Sequence, residues 1–215
     1  MPEISIRLPV DEGRISLEGF FQEGRNSRTA IICHPHPVYG GNMDNNVVVA
    51  VQRVFAERGW GTLRYNFRGV GASGGKSGQG TTEAEDLVDV ATFIESIHPG
   101  ALDLAGYSFG SWTVLTAVRR GLSPDLLCLF SPPLDFMSFE GLVLPDRPTL
   151  ITLGNQDEFC SVGSLRKWLA NQPLASRRVT LELIAYCDHF YWEFGADLSA
   201  RLDGFLRKNL QVGFA

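Results

Sequence analysis

The sequence lacks several features on which common classes of protein depend. Its 215 residues carry a net charge of -5, and no run of Lys and Arg is longer than two residues, so there is no basic surface for nucleic acid. No apolar stretch approaches the ~18 residues of a membrane span, and the N-terminus lacks the basic start and apolar run of a signal peptide. We therefore expect a soluble protein of the cytoplasm that binds neither nucleic acid nor membrane.

Cysteine is also scarce, and its spacing excludes the usual cysteine chemistry. The four cysteines form no C-x-x-C pair, which argues against a zinc site or a redox centre: Cys33, Cys128, Cys160 and Cys187. We expect four reduced, buried thiols, and no motif calls for a cofactor.

What the chain does have is enough apolar material for one core. A hydrophobic content of 44% in 215 residues suits a single domain over residues 1–215 and leaves two full domains cramped. The sequence leaves the oligomeric state open, with a homodimer among the choices.

Short β-rich runs alternate with amphipathic stretches along the chain. Strands are predicted over residues 14–21, 29–33, 61–67, 102–107, 126–130, 149–153 and 179–185. Helices are predicted from Asn45 or Asn46 to Gly59, from a capping box of Thr82 and Glu85 to His98, and over residues 109–120, 162–171 and 193–209. This alternation favours an α/β fold with a mostly parallel, twisted sheet of about eight strands and helices on both faces. Its ligand sites lie at the carboxyl ends of the strands.

Two segments match the pattern G-x-S-x-G, in which small residues around a serine let the chain turn sharply from a strand into a helix. The first, around Ser73, lies in a run of glycines that disfavours a helix, which indicates a loop. The second, around Ser108, follows the apolar strand 102–107 and precedes a helix with one apolar face. Ser108 is therefore the predicted nucleophile, and the alternative is a serine that only caps the helix.

A serine hydroxyl becomes a good nucleophile only when a histidine accepts its proton. His98 ends a helix on the far side of the predicted sheet. His34 and His36 precede the serine, against the expected chain order of serine, acid and histidine. His189, in the loop after the last predicted strand, is the remaining histidine and the predicted base.

The third member is a carboxylate that holds the imidazole in the right tautomer. Asp157 comes shortly after the strand 149–153 and is the predicted acid. Its neighbour Glu158, and Asp135 after the preceding strand, are the alternatives. Asp188 is too close in sequence to His189 to point at its ring.

The developing oxyanion needs two N–H donors. Phe109, the residue after the nucleophile, supplies the first. In the loop after the strand 29–33, Pro35 and Pro37 have no N–H, so the N–H of His36 is the predicted second donor. A metal site on His34 and His36 is weakly supported, because no carboxylate or third histidine stands at ligand spacing.

With these residues the chain resembles the α/β-hydrolase superfamily, and within it the compact bacterial serine hydrolases with a His-Pro-His-Pro loop. These are neighbours of the dienelactone hydrolases and small carboxylesterases. The resemblance spans residues 15–210 and rests on residues 34–37 with Gly40 and Gly41, on residues 66–73, and on Ser108, Asp157 and His189. It implies a serine hydrolase of carboxylic esters that works through an acyl-enzyme, with the first segment at the oxyanion hole and the second as a structural loop.

The chain departs from many of these relatives in the segment after the sixth strand, where they insert a helical cap. Residues 131–148 are few and rich in proline, so only a minimal lid is expected. Four aromatic residues adjoin the motifs and are candidates for lining a pocket for a small acyl substrate, although core packing explains them equally well: Tyr39, Phe159, Phe190 and Tyr191.

Several other functions stay open at this point. Thioesters, amides and lactones pass through the same acyl-enzyme, and a non-catalytic member of the fold would use the same cleft for binding. A P-loop is a weaker alternative: Gly75-Lys76-Ser77 matches its end, but Val70 stands where its first glycine belongs.

Overall fold

The computed structural model describes residues 2–173 and 178–210, and one sheet runs through them. The strands of this part of the chain are β1 (Ile4–Val10), β2 (Ile15–Gln22), β3 (Arg28–Cys33), β4 (Gly61–Tyr65), β5 (Ala101–Tyr107), β6 (Leu126–Phe130), β7 (Thr149–Gly154) and β8 (Val179–Ile184). In space they follow the order β1-β2-β4-β3-β5-β6-β7-β8. β1 and β2 form an antiparallel hairpin and β2 pairs antiparallel with β4, whereas the neighbours from β4 to β8 are parallel.

Helices cover both faces of the sheet. They are α1 (Asn46–Glu57), α2 (Thr81–Ile97), α3 (Phe109–Arg119), α4 (Val162–Ala170) and α5 (Gly195–Leu210). Buried residues of α2, α3 and α4, such as Leu87, Leu115 and Leu165, belong to the core on one face. Those of α1 and α5, such as Val51 and Leu202, belong to the core on the other.

The central strands are buried on both sides, as parallel strands between two helical layers must be. All residues of β6 and β7 are buried, and so are the last five of β5. Because β3 to β8 are parallel, the loops after β3, β5, β7 and β8 meet at one edge of the sheet. Every predicted site residue lies in one of these loops or at the start of the helix that follows.

The predicted α/β class with a mostly parallel sheet of eight strands is confirmed, and most strand bounds agree with the prediction within one or two residues. The predicted capping box of Thr82 and Glu85 is wrong. α2 begins at Thr81, and the carboxylate of Glu83 accepts hydrogen bonds from the N–H groups of Gly80 (2.7 Å) and Gly78 (2.9 Å). The final helix begins at Gly195 instead of residue 193.

The segment between β6 and β7, residues 131–148, contains neither helix nor strand, so the minimal lid is confirmed. All four cysteines are buried and unpaired. In the described part of the chain, no helix combines the length and the hydropathy that crossing a membrane requires.

Candidate active site

Ser108 occupies a sharp turn between β5 and α3. Its backbone angles are φ 53° and ψ -119°, a conformation that a non-glycine residue adopts only under constraint from its surroundings. A side chain at Gly106 would overlap the backbone of Gly110, so the turn can close only because position 106 carries no Cβ. The Ser108 N–H donates to the carbonyl of Phe130 at 2.9 Å, which ties the turn to the end of β6.

The second glycine of the motif brings α3 against the loop after β3. A Cβ at Gly110 would overlap the Cys33 carbonyl, and it would also crowd the carbonyl of His34. The backbone N–H groups of Phe109 and His36 donate no hydrogen bond to any described residue. Two free donors therefore stand on chain segments that are pressed together beside Ser108.

His189 lies between Ser108 and Asp157. Its Nε2 is 2.8 Å from the Ser108 Oγ, and its Nδ1 is 2.8 and 3.0 Å from the two carboxylate oxygens of Asp157. The carboxylate Oδ1 also accepts the N–H groups of Phe159 at 2.9 Å and Cys160 at 3.1 Å, which fixes its orientation. Because an ionised carboxylate only accepts, Nδ1 carries the proton and Nε2 is free to accept from the serine. All three side chains are buried.

A third glycine joins the loop of Asp157 to that of His189. A Cβ at Gly154, the last residue of β7, would overlap the carbonyl of Cys187. The same carbonyl accepts the N–H of Gln156 at 2.9 Å. The loops that carry Asp157 and His189 are therefore held together by direct backbone packing.

The other candidate carboxylates have different partners. Asp135 accepts the Ser161 N–H at 2.7 Å, and hydrogen bonds from Ser164 and Ser161 lower the pKa of its carboxyl group. Asp188 accepts the N–H groups of Phe190 and Tyr191, so it closes its own turn. Among the described residues, it is Asp157 that reaches the His189 ring.

His34 and His98 serve the framework. Nε2 of His34 accepts the Phe67 N–H at 3.0 Å, so its proton sits on Nδ1 and is donated to the Pro35 carbonyl at 2.6 Å. Burial lowers the pKa of His34 to about 4, which keeps the ring neutral, and with both nitrogens engaged it has no lone pair for a metal. His98 bonds Thr29 near the start of β3, at the edge opposite Ser108.

The rival serine also belongs to the framework. The Ser73 hydroxyl donates to the Asn66 carbonyl at 2.7 Å and accepts the Glu18 N–H at 3.0 Å. It ties the glycine-rich loop to β2, and no histidine is among its partners.

A cavity of about 320 Å³ opens above Ser108. Of the four predicted lining residues, three lie on its wall: Tyr39, Phe159 and Phe190. Tyr191 does not, because its ring is buried in the core and its hydroxyl bonds Ser131 at 2.8 Å and Thr152 at 3.0 Å. Sequence reasoning missed six wall residues: Asn45, which was considered only as a helix cap, and Tyr107, Pro133, Phe136, Met137 and Trp192. Tyr107 lies within the Ser108 motif and Trp192 lies in the turn after His189, signals that could have marked them, whereas nothing local marks Pro133, Phe136 and Met137.

The fold and this site together define an α/β hydrolase. No family model matches the chain. Protein RP471 of Rickettsia prowazekii (strain Madrid E), an uncharacterized protein, is 32% identical over 216 residues and covers 96% of this chain and 89% of that protein.

Two solved structures are similar over almost the whole chain. XC6422 from Xanthomonas campestris, a member of the α/β serine hydrolases without a lid, is 30% identical with a TM-score of 0.87, covering 97% of this chain and 96% of that one. An α/β serine hydrolase homologue from Coxiella burnetii is 30% identical with a TM-score of 0.86, covering 96% and 98%. The chain therefore belongs to the α/β serine hydrolases.

Proposed function

We propose that the protein hydrolyses carboxylic esters through an acyl-enzyme formed on Ser108, with His189 as the base and Asp157 as the acid. The observation that carries the proposal is the continuous chain of contacts from the Ser108 Oγ through both ring nitrogens of His189 to the Asp157 carboxylate. Each contact is within hydrogen-bond reach, as a nucleophile, its base and the group that orients the base require.

The steps follow from this geometry. His189 Nε2 takes the proton of the Ser108 hydroxyl as Oγ attacks the ester carbonyl, and the carbonyl oxygen becomes an oxyanion that the N–H groups of Phe109 and His36 bind. His189, now an imidazolium stabilised by Asp157, gives its proton to the leaving alcohol. A water then attacks the acyl-enzyme with His189 as the base, and the carboxylic acid leaves.

The residues that line the cavity favour a substrate with an uncharged acyl group. Apart from His189 and His36, the described residues that line it carry no ionisable group other than tyrosine, and aromatic rings dominate the wall. A carboxylate or phosphate bound there would lose its water without gaining an opposite charge. This favours neutral esters over coenzyme A thioesters and over the anionic substrates of dienelactone hydrolases, and the carboxylesterase-like subtype is therefore the one we propose. No cofactor enters the proposal, and the cytoplasm is the proposed location.

The proposal is tested with a fluorophosphonate probe and an ester panel. We expect the probe to label the wild type and not Ser108→Ala. We also expect p-nitrophenyl esters of graded acyl length to be hydrolysed with a higher kcat/KM than the matching coenzyme A thioesters. Ser108→Ala and His189→Ala should retain only the residual rate of binding and oxyanion hole, ~10³ to 10⁴ over water. A wild type that is never labelled and hydrolyses no activated ester would be a non-catalytic binding protein.

A further inference from the structure

The proposed oxyanion hole uses the backbone N–H of His36 and gives no role to its side chain. The imidazole ring nevertheless has a fixed tautomer. His36 precedes a short 3-10 turn, Pro37–Tyr39, and its Nδ1 accepts the Val38 N–H at 3.2 Å. A ring nitrogen that accepts cannot carry the proton, so the neutral ring is protonated on Nε2. Partial burial lowers the pKa of His36, which keeps the ring neutral near pH 7.

The ring is held in place by its neighbours. Its centroid is 4.6 Å from that of Phe109 and 5.5 Å from that of Tyr39. Nε2 is the second nitrogen of the ring, and no described residue accepts its proton. His34, two residues earlier in the same loop, engages both of its nitrogens with protein groups and is buried. Of the two histidines in this loop, only His36 has a donor left over.

His36 lies on the wall of the cavity that contains Ser108. Besides His36 and the triad, the polar side chains on the wall are those of Asn45, Tyr107, Tyr39 and Trp192. Asn45 caps α1, where its Oδ1 accepts the Val47 N–H at 3.0 Å, and its amide N–H groups form a second unpaired donor among the described residues. The Tyr107 hydroxyl donates to the His189 carbonyl, and Tyr39 and Trp192 are 71% and 74% exposed at the rim. His36 is only partly exposed, and its ring packs on the residue after the nucleophile.

We infer that the His36 Nε2–H is a substrate-binding donor, and that the enzyme prefers uncharged esters with an acceptor oxygen, such as an ether oxygen, besides the scissile ester group. The inference rests on the proposed function and adds the substrate class. The side chain of His36 thus determines substrate specificity, whereas its backbone N–H binds the oxyanion. A net neutral hydrogen bond of this kind is worth about 2- to 12-fold in affinity, since the free donor would otherwise bind water.

The test replaces single methylenes of the substrate by oxygen. One series varies the acyl chain of p-nitrophenyl hexanoate, and a second varies the alcohol chain of hexyl acetate, with acid release followed by pH-stat. The measured quantity is the ratio of kcat/KM for each oxa ester to that of its all-carbon parent. Intrinsic reactivity differs between substrates, but it cancels when this ratio is compared between wild type and variant.

Two variants remove Nε2–H in opposite ways. His36→Asn keeps an oxygen that can accept the Val38 N–H, whereas His36→Phe keeps a ring against Phe109. We expect both to lower the ratio by about 2- to 12-fold at the same oxygen position. Val38→Ala, which trims an exposed side chain and keeps its N–H, should leave the ratio as it is.

The outcomes separate the two proposals. If the wild type is not labelled by fluorophosphonate and cleaves no ester, the proposed function fails. If it is labelled and active, but neither series shows an oxa preference that both His36 variants lose, the inference about His36 is overturned while the proposed function stands. A loss in only one variant overturns it as well, because loop geometry or ring packing would then be responsible.

Discussion

The Tyr107 hydroxyl donates a hydrogen bond of 2.8 Å to the backbone carbonyl of His189. The residue before Ser108 therefore holds the loop that carries His189, across 82 positions of sequence. The two rings are also in contact, with centroids 5.6 Å apart. The distance between Ser108 and His189 thus depends on the side chain of Tyr107.

Tyr107→Phe removes this bond and leaves a buried carbonyl without its partner. We expect the free energy of unfolding to fall by about 1 to 3 kcal/mol and kcat to fall about fivefold as the histidine loop loosens. Urea unfolding and ester hydrolysis measure the two effects. Tyr186→Phe, at a hydroxyl that is exposed, is the matched control, and an equal loss there would remove the special role of Tyr107.

Ser73→Ala tests the second serine that has the G-x-S-x-G spacing. Its hydroxyl connects the Asn66 carbonyl and the Glu18 N–H, so we expect a loss of about 1 to 3 kcal/mol in unfolding free energy. The folded variant should still be labelled by fluorophosphonate at the wild-type rate. Loss of labelling without loss of folded protein would contradict the framework role.

The assignment of the acid is tested by three substitutions. Asp157→Asn should lower kcat by ~10⁴-fold, because the amide favours the wrong tautomer of His189. Asp135→Asn should change stability through Ser161 at the start of α4, and Glu158→Gln should change little, with kcat near the wild-type value in both. Inactivation by either of these two variants, with Asp157→Asn active, would reassign the acid.

Gly110→Ala places a methyl group against the Cys33 carbonyl and pushes α3 away from the loop after β3. A displacement of about 1 Å between the nucleophile and the oxyanion donors is expected to lower kcat by ~10²-fold. Gly204→Ala is the control, since its Cβ would meet no atom within 4 Å and alanine favours the helix α5. Circular dichroism distinguishes a displaced helix from an unfolded protein.

The buried His34 predicts a dependence of stability on pH. Its pKa is lowered from 6.5 to about 4 in the folded protein, so between these values the unfolded chain binds more protons. The contribution of His34 to the free energy of unfolding is therefore fully present above pH 6.5. It is lost as the pH falls towards 4, and the total loss is about 3 kcal/mol. His34→Gln should flatten the slope of unfolding free energy against pH in this window. An unchanged slope would mean that the ring is already charged in the folded protein.

Local patterns predicted much of this molecule. Most strands from β3 to β7 are short apolar runs with glycine or proline nearby, β8 alternates apolar with polar residues, and the parallel order of these strands brings the loops after them to one edge. Asp157 and His189 were therefore predicted to lie near Ser108 without any knowledge of distance, and the structure brings the three side chains within hydrogen-bond reach. Ser108 was distinguished from Ser73 by the strand before it and the helix after it.

The features that were missed depend on longer-range geometry. β1 is an exception: its sequence has an apolar residue at every second position, a local signal of an edge strand that the predicted strands left out. The start of α2 is set by Gly80 at φ 112°, a conformation that the spacing of Thr82 and Glu85 does not reveal. Phe136 and Met137 reach the cavity because the segment 131–148 folds back, which no periodicity encodes. In the turn after His189, Phe190 and Trp192 face the cavity and Tyr191 faces the core.

Because β8 lies at the edge of the sheet, the part of the protein that carries His189 opens more easily than the part that carries Ser108. Ser108 follows a strand in the middle of the sheet, whereas His189 follows β8, the edge strand, most of whose residues are only partly buried. Edge elements open at a lower free energy than the core. We therefore expect His189, the proposed base, to move away from Ser108 while the rest of the sheet stays folded. Reaction with a covalent probe would then report fluctuations of this one strand, and heating would inactivate the enzyme before it melts.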